Sequence, residues 1–273
     1  MCFNGYIKKI FPVSLAFILL SCSVTKQKTK TVVFAANPVI AHRGAWKKNN
    51  LPENSIAALR NAIQLNCTGS EFDIWMTVDD SLVINHDPHY NKLPVEKTGY
   101  TELSAARLSN GEKLPTLREY LLAGLENNTR TLLVLEIKPS TISGERGKLV
   151  AERVVQLVKE VNATAMAAYI SFDYEILRRI LETDPAAKTQ YLKGDMAPEQ
   201  LKKDKMDGLD YHFSVFKKQP GWIGQAKKDK LKLNAWTVND AEEMKLLLDQ
   251  GFDFITTNEP ELLLAVWKER AGK

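Results

Sequence analysis

Short apolar runs alternate with amphipathic ones eight times along this chain, and few folds accept that order. The apolar runs fall at 38–42, 69–73, 130–137, 167–171, 188–192, 206–213, 231–237 and 252–256. Helix-like runs follow them at 55–66, 116–126, 145–161, 173–183, 198–204, 218–229, 240–250 and 259–270. In the first of these, Ile56, Leu59, Ala62 and Ile63 form an apolar stripe at helical spacing. Asp240 and Glu243 have the spacing of a capping box, and Gly251 ends the helix they open. Residues 132–137, Leu-Leu-Val-Leu-Glu-Ile, read as a strand buried on both faces. Strands alternating with helices require a parallel sheet. Eight such units in 273 residues favour closure into a (β/α)8 TIM barrel over an open doubly wound sheet. No Gly-x-Gly-x-x-Gly follows the first strand, so nothing supports a dinucleotide site.

Two stretches leave the alternation. Residues 74–86 read as a β-hairpin, a ribbon over the barrel mouth. If Asp79-Asp80 form a two-residue turn, Asp73 lies opposite His86. Asp-Asp is not the favoured turn pair, which leaves registers shifted by one or two residues open. Residues 87–115 carry Pro88, Pro94, Gly99, Gly111 and Pro115, and read as a small insertion after the second strand.

The N-terminus reads as separate from the barrel. Lys8 and Lys9 precede an apolar run at 10–20, which ends at Leu19-Leu20-Ser21-Cys22. A charged region, a short apolar run and a small residue describe a secretory signal. The run falls short of the ~20 residues a membrane span needs. Cys22 directly after Ser21 resembles a bacterial lipoprotein signal. The expected organisation is a signal peptide over 1–21, an acylated Cys22, a polar tether over 22–37 and a barrel domain over 38–270. That places the protein in a bacterial cell envelope, lipid-anchored and facing the periplasm. Losing Cys2 and acylating Cys22 would leave Cys67 alone, so no intrachain disulfide is expected. The formal charge of +4 falls to +2 once Lys8 and Lys9 are removed, too small a bias to argue for nucleic acid.

Barrel enzymes place their chemistry at the C-terminal ends of the strands. Those ends carry His42 and Arg43, Glu71 and Asp73, Glu136 and Lys138, then Ser171, Lys193, His212, Trp236 and Thr256. The hairpin returns His86 to the same rim. Three carboxylates, Glu71, Asp73 and Glu136, can hold one hard divalent cation, Mg²⁺ or Ca²⁺. Two histidines can act as general base and general acid near neutral pH. Arg43 and Lys138 add fixed positive charge, which suits a phosphate in transfer. These groups together describe metal-assisted cleavage of a phosphodiester.

Ala41-His42-Arg43-Gly44, Pro52-Glu53-Asn54-Ser55, Glu71-x-Asp73, His86-Asp87, Glu136-Ile137-Lys138 and Trp236-Thr237-Val238-Asn239 stand in one order. In that order and spacing the chain resembles the glycerophosphodiester phosphodiesterase family over roughly residues 38–270. Ile255 to Pro260 resembles that family's C-terminal signature, with Asn258 where Asp is usual. The resemblance implies a barrel with an insertion after the second strand. It implies a metal held by Glu71, Asp73 and Glu136, and catalysis by His42 and His86. It also implies attack by a substrate hydroxyl and water opening a cyclic phosphate, as in phosphatidylinositol-specific phospholipase C. His42 is expected as base toward the glycerol hydroxyl and His86 as acid toward the leaving alcohol; the reverse also fits the sequence. Arg43 and Lys138 would hold phosphoryl oxygens, Glu53 the metal shell or glycerol hydroxyls, and Trp236 and His212 the substrate rim. The products would be glycerol 3-phosphate and an alcohol. Rival readings are a phosphodiesterase for intact lipids or glycerol-phosphate polymers, and a tethered protein that binds phosphodiesters without turnover.

Overall fold

Parallel strands buried on both faces build the wall of this molecule, and the wall closes on itself. The computed structural model describes residues 1–3, 5 and 32–271. Cys22, the tether up to residue 31, and all of the expected signal peptide except 1–3 and 5 lie outside the described residues. Among those described, the strands are β1 (Val39–Ala41), β2 (Gly69–Met76), β3 (Leu82–Ile84), β4 (His89–Tyr90), β5 (Leu93–Pro94), β6 (Leu132–Ile137), β7 (Ala167–Ser171), β8 (Thr189–Tyr191), β9 (Gly208–His212), β10 (Lys232–Trp236) and β11 (Phe254–Thr257). The parallel order is β1-β11-β10-β9-β8-β7-β6-β2, and β1 pairs with β2 as well. Ile40 stands beside Thr256 on one side and Gly69 on the other, which closes the expected eight-stranded TIM barrel.

Strand alternation sorts the side chains. Phe72, Leu135, Leu209 and Leu233 point outward into the layer shared with the helices, where Leu59, Tyr120, Val154 and Leu177 meet them. The barrel interior is a smaller apolar cluster of Ile40, Val134, Ile170 and Leu192, with Phe172, Trp236 and Phe254 packed against it. Burying each such large apolar side chain contributes about 1.5–3 kcal/mol. The inward positions left over at the mouth are polar, and these form the site described below.

The helices follow local chemistry. Thr116 and Glu119 form a complete capping box at the helix Leu117–Leu125. At Ala241–Asp249 only half of the expected box forms. Asp240 accepts from the amides of Glu242 and Glu243 at 3.0 Å, while the Glu243 carboxylate turns to Lys217 instead. The expected helix at 218–229 is found at Gly221–Lys228, and an additional short helix, Phe213–Lys218, precedes it. Pro220 divides them, because its ring has no amide proton and blocks the preceding turn.

The hairpin is present, with a register one residue away from the expected one. Ile74 pairs with Ile84, Trp75 with Val83 and Met76 with Leu82. Asp73 therefore faces Asn85, whose amide donates to the Asp73 carbonyl at 3.0 Å, and not His86. The turn is longer than the assumed Asp79-Asp80 pair. Thr77 N donates to the Ser81 carbonyl at 2.9 Å, and Asp80 sits in the left-handed region at φ 61°. A three-residue loop ending in a left-handed residue is a common hairpin closure. Asp79 lies inside this loop, where its carboxylate accepts from the Thr77 hydroxyl and from the Tyr100 amide at 3.1 and 3.2 Å.

The insertion has its own core, in which Trp75, Val83, Tyr90, Val95, Leu103 and Leu114 pack together. At the opposite end of the barrel, the last residues of the expected tether are held against the wall. Val33 N and Ala35 N donate to the carbonyls of Thr129 and Arg130 at 3.0 and 2.9 Å. Among the described residues, the chain is thus already hydrogen-bonded to the barrel at Val33 and Ala35, ahead of β1. No helix among the described residues is long and apolar enough to cross a membrane.

One glycine tests how tightly adjacent strands meet. A Cβ on Gly208 would lie 2.4 Å from the Lys232 carbonyl oxygen on β10, whereas a Cβ on Gly221 would meet nothing within 4 Å. Gly208→Ala is expected to lose about 1–3 kcal/mol by overpacking. Gly221→Ala should be neutral or gain up to about 1 kcal/mol. Paired urea unfolding curves would measure both.

Candidate active site

The turn after β1 is built by two left-handed residues, Arg43 at φ 57° and Gly44 at φ 81°. Gly44 is needed there twice over, because any Cβ would fall 2.7 Å from Ala58 in the next helix. This tight turn sends His42 inward and aims the Arg43 amide at Glu71 Oε2, 2.8 Å away. The Arg43 guanidinium donates to Glu53 Oε2 at 2.8 Å and lies 3.8 Å from Asp73 Oδ2. Asn54, also left-handed, donates to Asp73 Oδ2 at 2.7 Å.

Glu71 and Asp73 lie on one face of β2, and Asp73 stands level with Glu136 on β6. The three carboxylates are buried and offer oxygens all within 4.8 Å of one another. Glu71 Oε1 has no hydrogen-bond partner. The Lys138 ammonium lies 2.7 Å from Asp73 Oδ1 and 2.6 Å from Glu136 Oε1. Burial, then repulsion from Asp73 and Glu136, raises the Glu71 carboxyl well above its ordinary range. Burial and Asp73 push Glu136 up to about 7. Asp73 is held low although burial opposes it, because Lys138 and His86 favour its charged form. Burial would depress Lys138, but Asp73 and Glu136 outweigh it and raise its pKa. A cluster of hard oxygen donors with one orphaned oxygen and excess negative charge fits a divalent cation.

His42 points Nδ1 at Asn258 Oδ1, 2.7 Å away, and Nε2 toward Glu71 Oε2 at 4.0 Å. An amide oxygen can only accept, so this contact puts the ring proton on Nδ1 and the lone pair on Nε2. Burial, then the charge of Arg43, lowers its pKa to about 4. The ring is neutral at pH 7. Asn258 is braced in turn, since its amide donates to Asn239 Oδ1 at 2.9 Å.

β3 ends at Ile84, and the chain turns before His86. His86 therefore reaches the mouth despite the shifted register. Its Nδ1 lies 2.7 Å from Asp87 Oδ1, and its carbonyl accepts from Trp75 Nε1 at 3.2 Å. A cavity of about 110 Å³ brings together His42, Arg43, Glu71, His86, Glu136 and Lys138 on one wall. Ile170, Phe172, Leu192 and Trp236 form the other, and Asp210 also lines it. A larger hollow of about 530 Å³ lies at the opposite end of the barrel, around Pro38, Phe254 and Trp267. It gathers no comparable set of acids and histidines.

Two expected site residues, His212 at the rim and Glu53 at the metal shell or glycerol hydroxyls, make other contacts. His212 lies behind the cavity wall. Its Nδ1 accepts from the Ser214 amide at 3.3 Å, and its ring packs edge-on against Trp236 at 5.2 Å. The start of the helix Phe213–Lys218 takes its free ring nitrogen. Glu53 spends its carboxylate on Arg43 and stays outside the three-carboxylate cluster. Trp236 does line the cavity, fixed by donation from Nε1 to the Asp210 carbonyl at 2.9 Å.

Three contributors were given no role from the sequence. Asn54 and Asn258 both sit inside quoted motifs, so their positions carried a signal that went unused. Asp210 carried none. It is buried on β9 with Oδ1 unpartnered, and burial followed by Glu136 raises its pKa.

The sequence profile of the glycerophosphoryl diester phosphodiesterase family matches residues 42–262. A glycerophosphodiester phosphodiesterase of Caldanaerobacter subterraneus is 29% identical over 240 residues, covering 83% of this chain and 96% of that protein. The crystal structure of a glycerophosphodiester phosphodiesterase from Parabacteroides distasonis superposes with a TM-score of 0.84 at 36% identity, covering 88% of this chain and all of the other. An Oleispira antarctica phosphodiesterase, solved with its product sn-glycerol-3-phosphate, shares the fold at 24% identity and a TM-score of 0.71, over 85% of this chain and 96% of its own.

The raised Glu136 carboxyl makes a stability prediction for chelator-treated protein. Its folded pKa of about 7 exceeds its ordinary 4.5, so its contribution is full below about 4.5 and is lost as pH rises through about 7. Unfolding midpoints of the metal-free protein should fall across that window. Glu136→Gln should flatten the slope.

Proposed function

The chain belongs to the glycerophosphoryl diester phosphodiesterase family, and from that membership we propose that it hydrolyses glycerophosphodiesters to glycerol 3-phosphate and an alcohol. The observation that carries this reading is the convergence of a three-carboxylate cluster, two histidines and two fixed cations at one end of one barrel. The 36% identity to the Parabacteroides distasonis enzyme over that enzyme's full length supports the same reading.

Glu71, Asp73 and Glu136 would hold one Mg²⁺ or Ca²⁺, which would supply charge to phosphoryl and hydroxyl oxygens. His42, neutral and aimed by Asn258, takes the proton from the glycerol hydroxyl next to the phosphoester. That oxygen bonds to phosphorus as the bond to the alcohol oxygen breaks, and His86 gives the departing oxygen its proton. A cyclic phosphate results. Water then opens it, with His86 accepting the proton of the water and His42 returning one to the glycerol oxygen. Lys138 and Arg43 offset the charge that builds on the phosphoryl oxygens. Phe172 and Trp236 exclude water on the apolar side. The Leu19-Leu20-Ser21-Cys22 ending supports anchoring of the protein by an acyl chain on Cys22 in a bacterial cell envelope, on the periplasmic side; incorporation of labelled fatty acid, lost in Cys22→Ala, would test it.

Chelator should abolish release of glycerol 3-phosphate from glycerophosphodiesters, and added Mg²⁺ or Ca²⁺ should restore it. Unchanged turnover in Glu71→Ala would remove the metal assignment. As general acid, His86 should be worth about 10²–10⁴-fold with a natural alcohol. His86→Ala should lose much less on a substrate with a p-nitrophenol leaving group, which departs without a proton. Equal losses on the two substrates would make His86 the base instead. Running intact phospholipids and glycerol-phosphate polymers beside the glycerophosphodiesters would identify the substrate class.

A further inference from the structure

The insertion carries a buried carboxylate that the reaction scheme leaves unused. Glu96 lies in the short turn Val95–Lys97 and is 3% exposed. Its Oε1 accepts from Ser140 Oγ at 2.7 Å and from Arg146 Nε at 3.2 Å. Its Oε2 accepts from the Thr141 amide at 2.6 Å and the Thr141 hydroxyl at 2.7 Å. All of these donors belong to one stretch, the loop after β6 and the first turn of the helix Gly144–Glu160. Arg146 extends the contact to the far end of β2, donating to the carbonyls of Met76 and Thr77 at 3.1 and 2.6 Å.

The insertion has other attachments besides this cluster. The lobe already has an apolar core built on the hairpin residues Trp75 and Val83, and Asp79 accepts the Tyr100 amide. A buried carboxylate costs free energy unless its partners are well placed, and here every partner lies on the other side of the lobe's boundary. What Glu96 holds is the segment that leaves Lys138. The Lys138 amide is fixed by the Ile74 carbonyl at 3.2 Å, and Ser140, two residues on, is fixed by Glu96. Between these two points the backbone that carries the ammonium has little freedom. That ammonium must stand between Asp73 and Glu136, at 2.7 and 2.6 Å, to balance the cluster.

We propose that Glu96 is a positioning residue for the phosphodiesterase reaction: by clamping residues 140 and 141 it sets where Lys138 stands against the carboxylates. The insertion is then part of the active-site frame. The inference rests on the proposed role of Lys138 at the phosphoryl site, and Glu96 itself touches no substrate.

A double-mutant cycle in the full chain, with amide hydrogen exchange on the substrate-free protein, tests this. Displacing a catalytic group by about 1 Å can cost on the order of 10²-fold, so Glu96→Ala should lower kcat by about 10–100-fold. KM should stay within about threefold, and the Thr141 amide should exchange faster. If Glu96 acts through Lys138, the two substitutions are not additive, and Glu96→Ala should cost less than about twofold in a Lys138→Ala background. The same fractional loss in both backgrounds would overturn the inference while leaving the reaction scheme standing. So would a deprotected Thr141 amide with unchanged kcat. Normal turnover in Lys138→Ala alone would overturn the assigned role of Lys138, and the inference with it. Should Glu96→Ala not fold, Thr141→Ala removes the hydroxyl contact from the loop side and carries the same cycle.

Discussion

Mutual repulsion among Glu71, Asp73 and Glu136 governs how the barrel mouth is built. Two unit charges within 4.8 Å of each other would repel by at least about 3–4 kcal/mol at an effective dielectric of about 20, and this cluster gathers three carboxyl groups, all away from water. No chain keeps such a group without compensation. Lys138 is set between two of the acids, the Arg43 amide donates to the third, and Asn54 donates to Asp73. The remaining imbalance appears as a raised Glu71 and a Glu136 near 7. The same imbalance suits the site to a divalent cation, which would in turn offset the charge of a phosphate.

β2 lets one continuous segment serve that site twice. Its first six residues pair in parallel with β6 and present Glu71 and Asp73 inward. Its last three pair antiparallel with β3. The hairpin then delivers His86 from above the mouth, and Trp75 on its outer face anchors the insertion core. Ribbon, insertion and loop after β6 form a connected frame around the carboxylates, with Asp79 and Glu96 as the polar links between its parts.

The contrast between two capping sites explains where reading a sequence succeeds and where it fails. Thr116-x-x-Glu119 and Asp240-x-x-Glu243 have the same spacing, yet only the first closes both halves of the box. Glu243 is within reach of Lys217, 26 residues away in the chain. A local pattern states what a side chain can do. A distant competitor decides whether it does. The hairpin closes with a longer turn for a related reason, since the Asp79 carboxylate, inside the turn, also accepts the distant Tyr100 amide. His212 was expected at the substrate rim from its place at a strand end, and Glu53 at the metal shell or glycerol hydroxyls from the family resemblance; each has a nearer partner, in the start of a helix and in Arg43.

Alternating periodicity determined the barrel, because eight apolar runs buried on both faces have no other economical closure. Residue type and placement at strand ends determined Glu71, Asp73, Glu136, His42, His86 and Lys138 as one candidate site, because a barrel brings all its C-terminal strand ends to one rim. Tertiary structure alone decided the hairpin register, the bonds of Val33 and Ala35 to the barrel, the bond that fixes the His42 tautomer, and the reach of Glu96 to the loop behind Lys138. Each of these depends on groups far apart in the chain, 216 residues for His42 and Asn258 and 45 for Glu96 and Thr141. Their energies come from desolvated contacts that exist only once the barrel has closed.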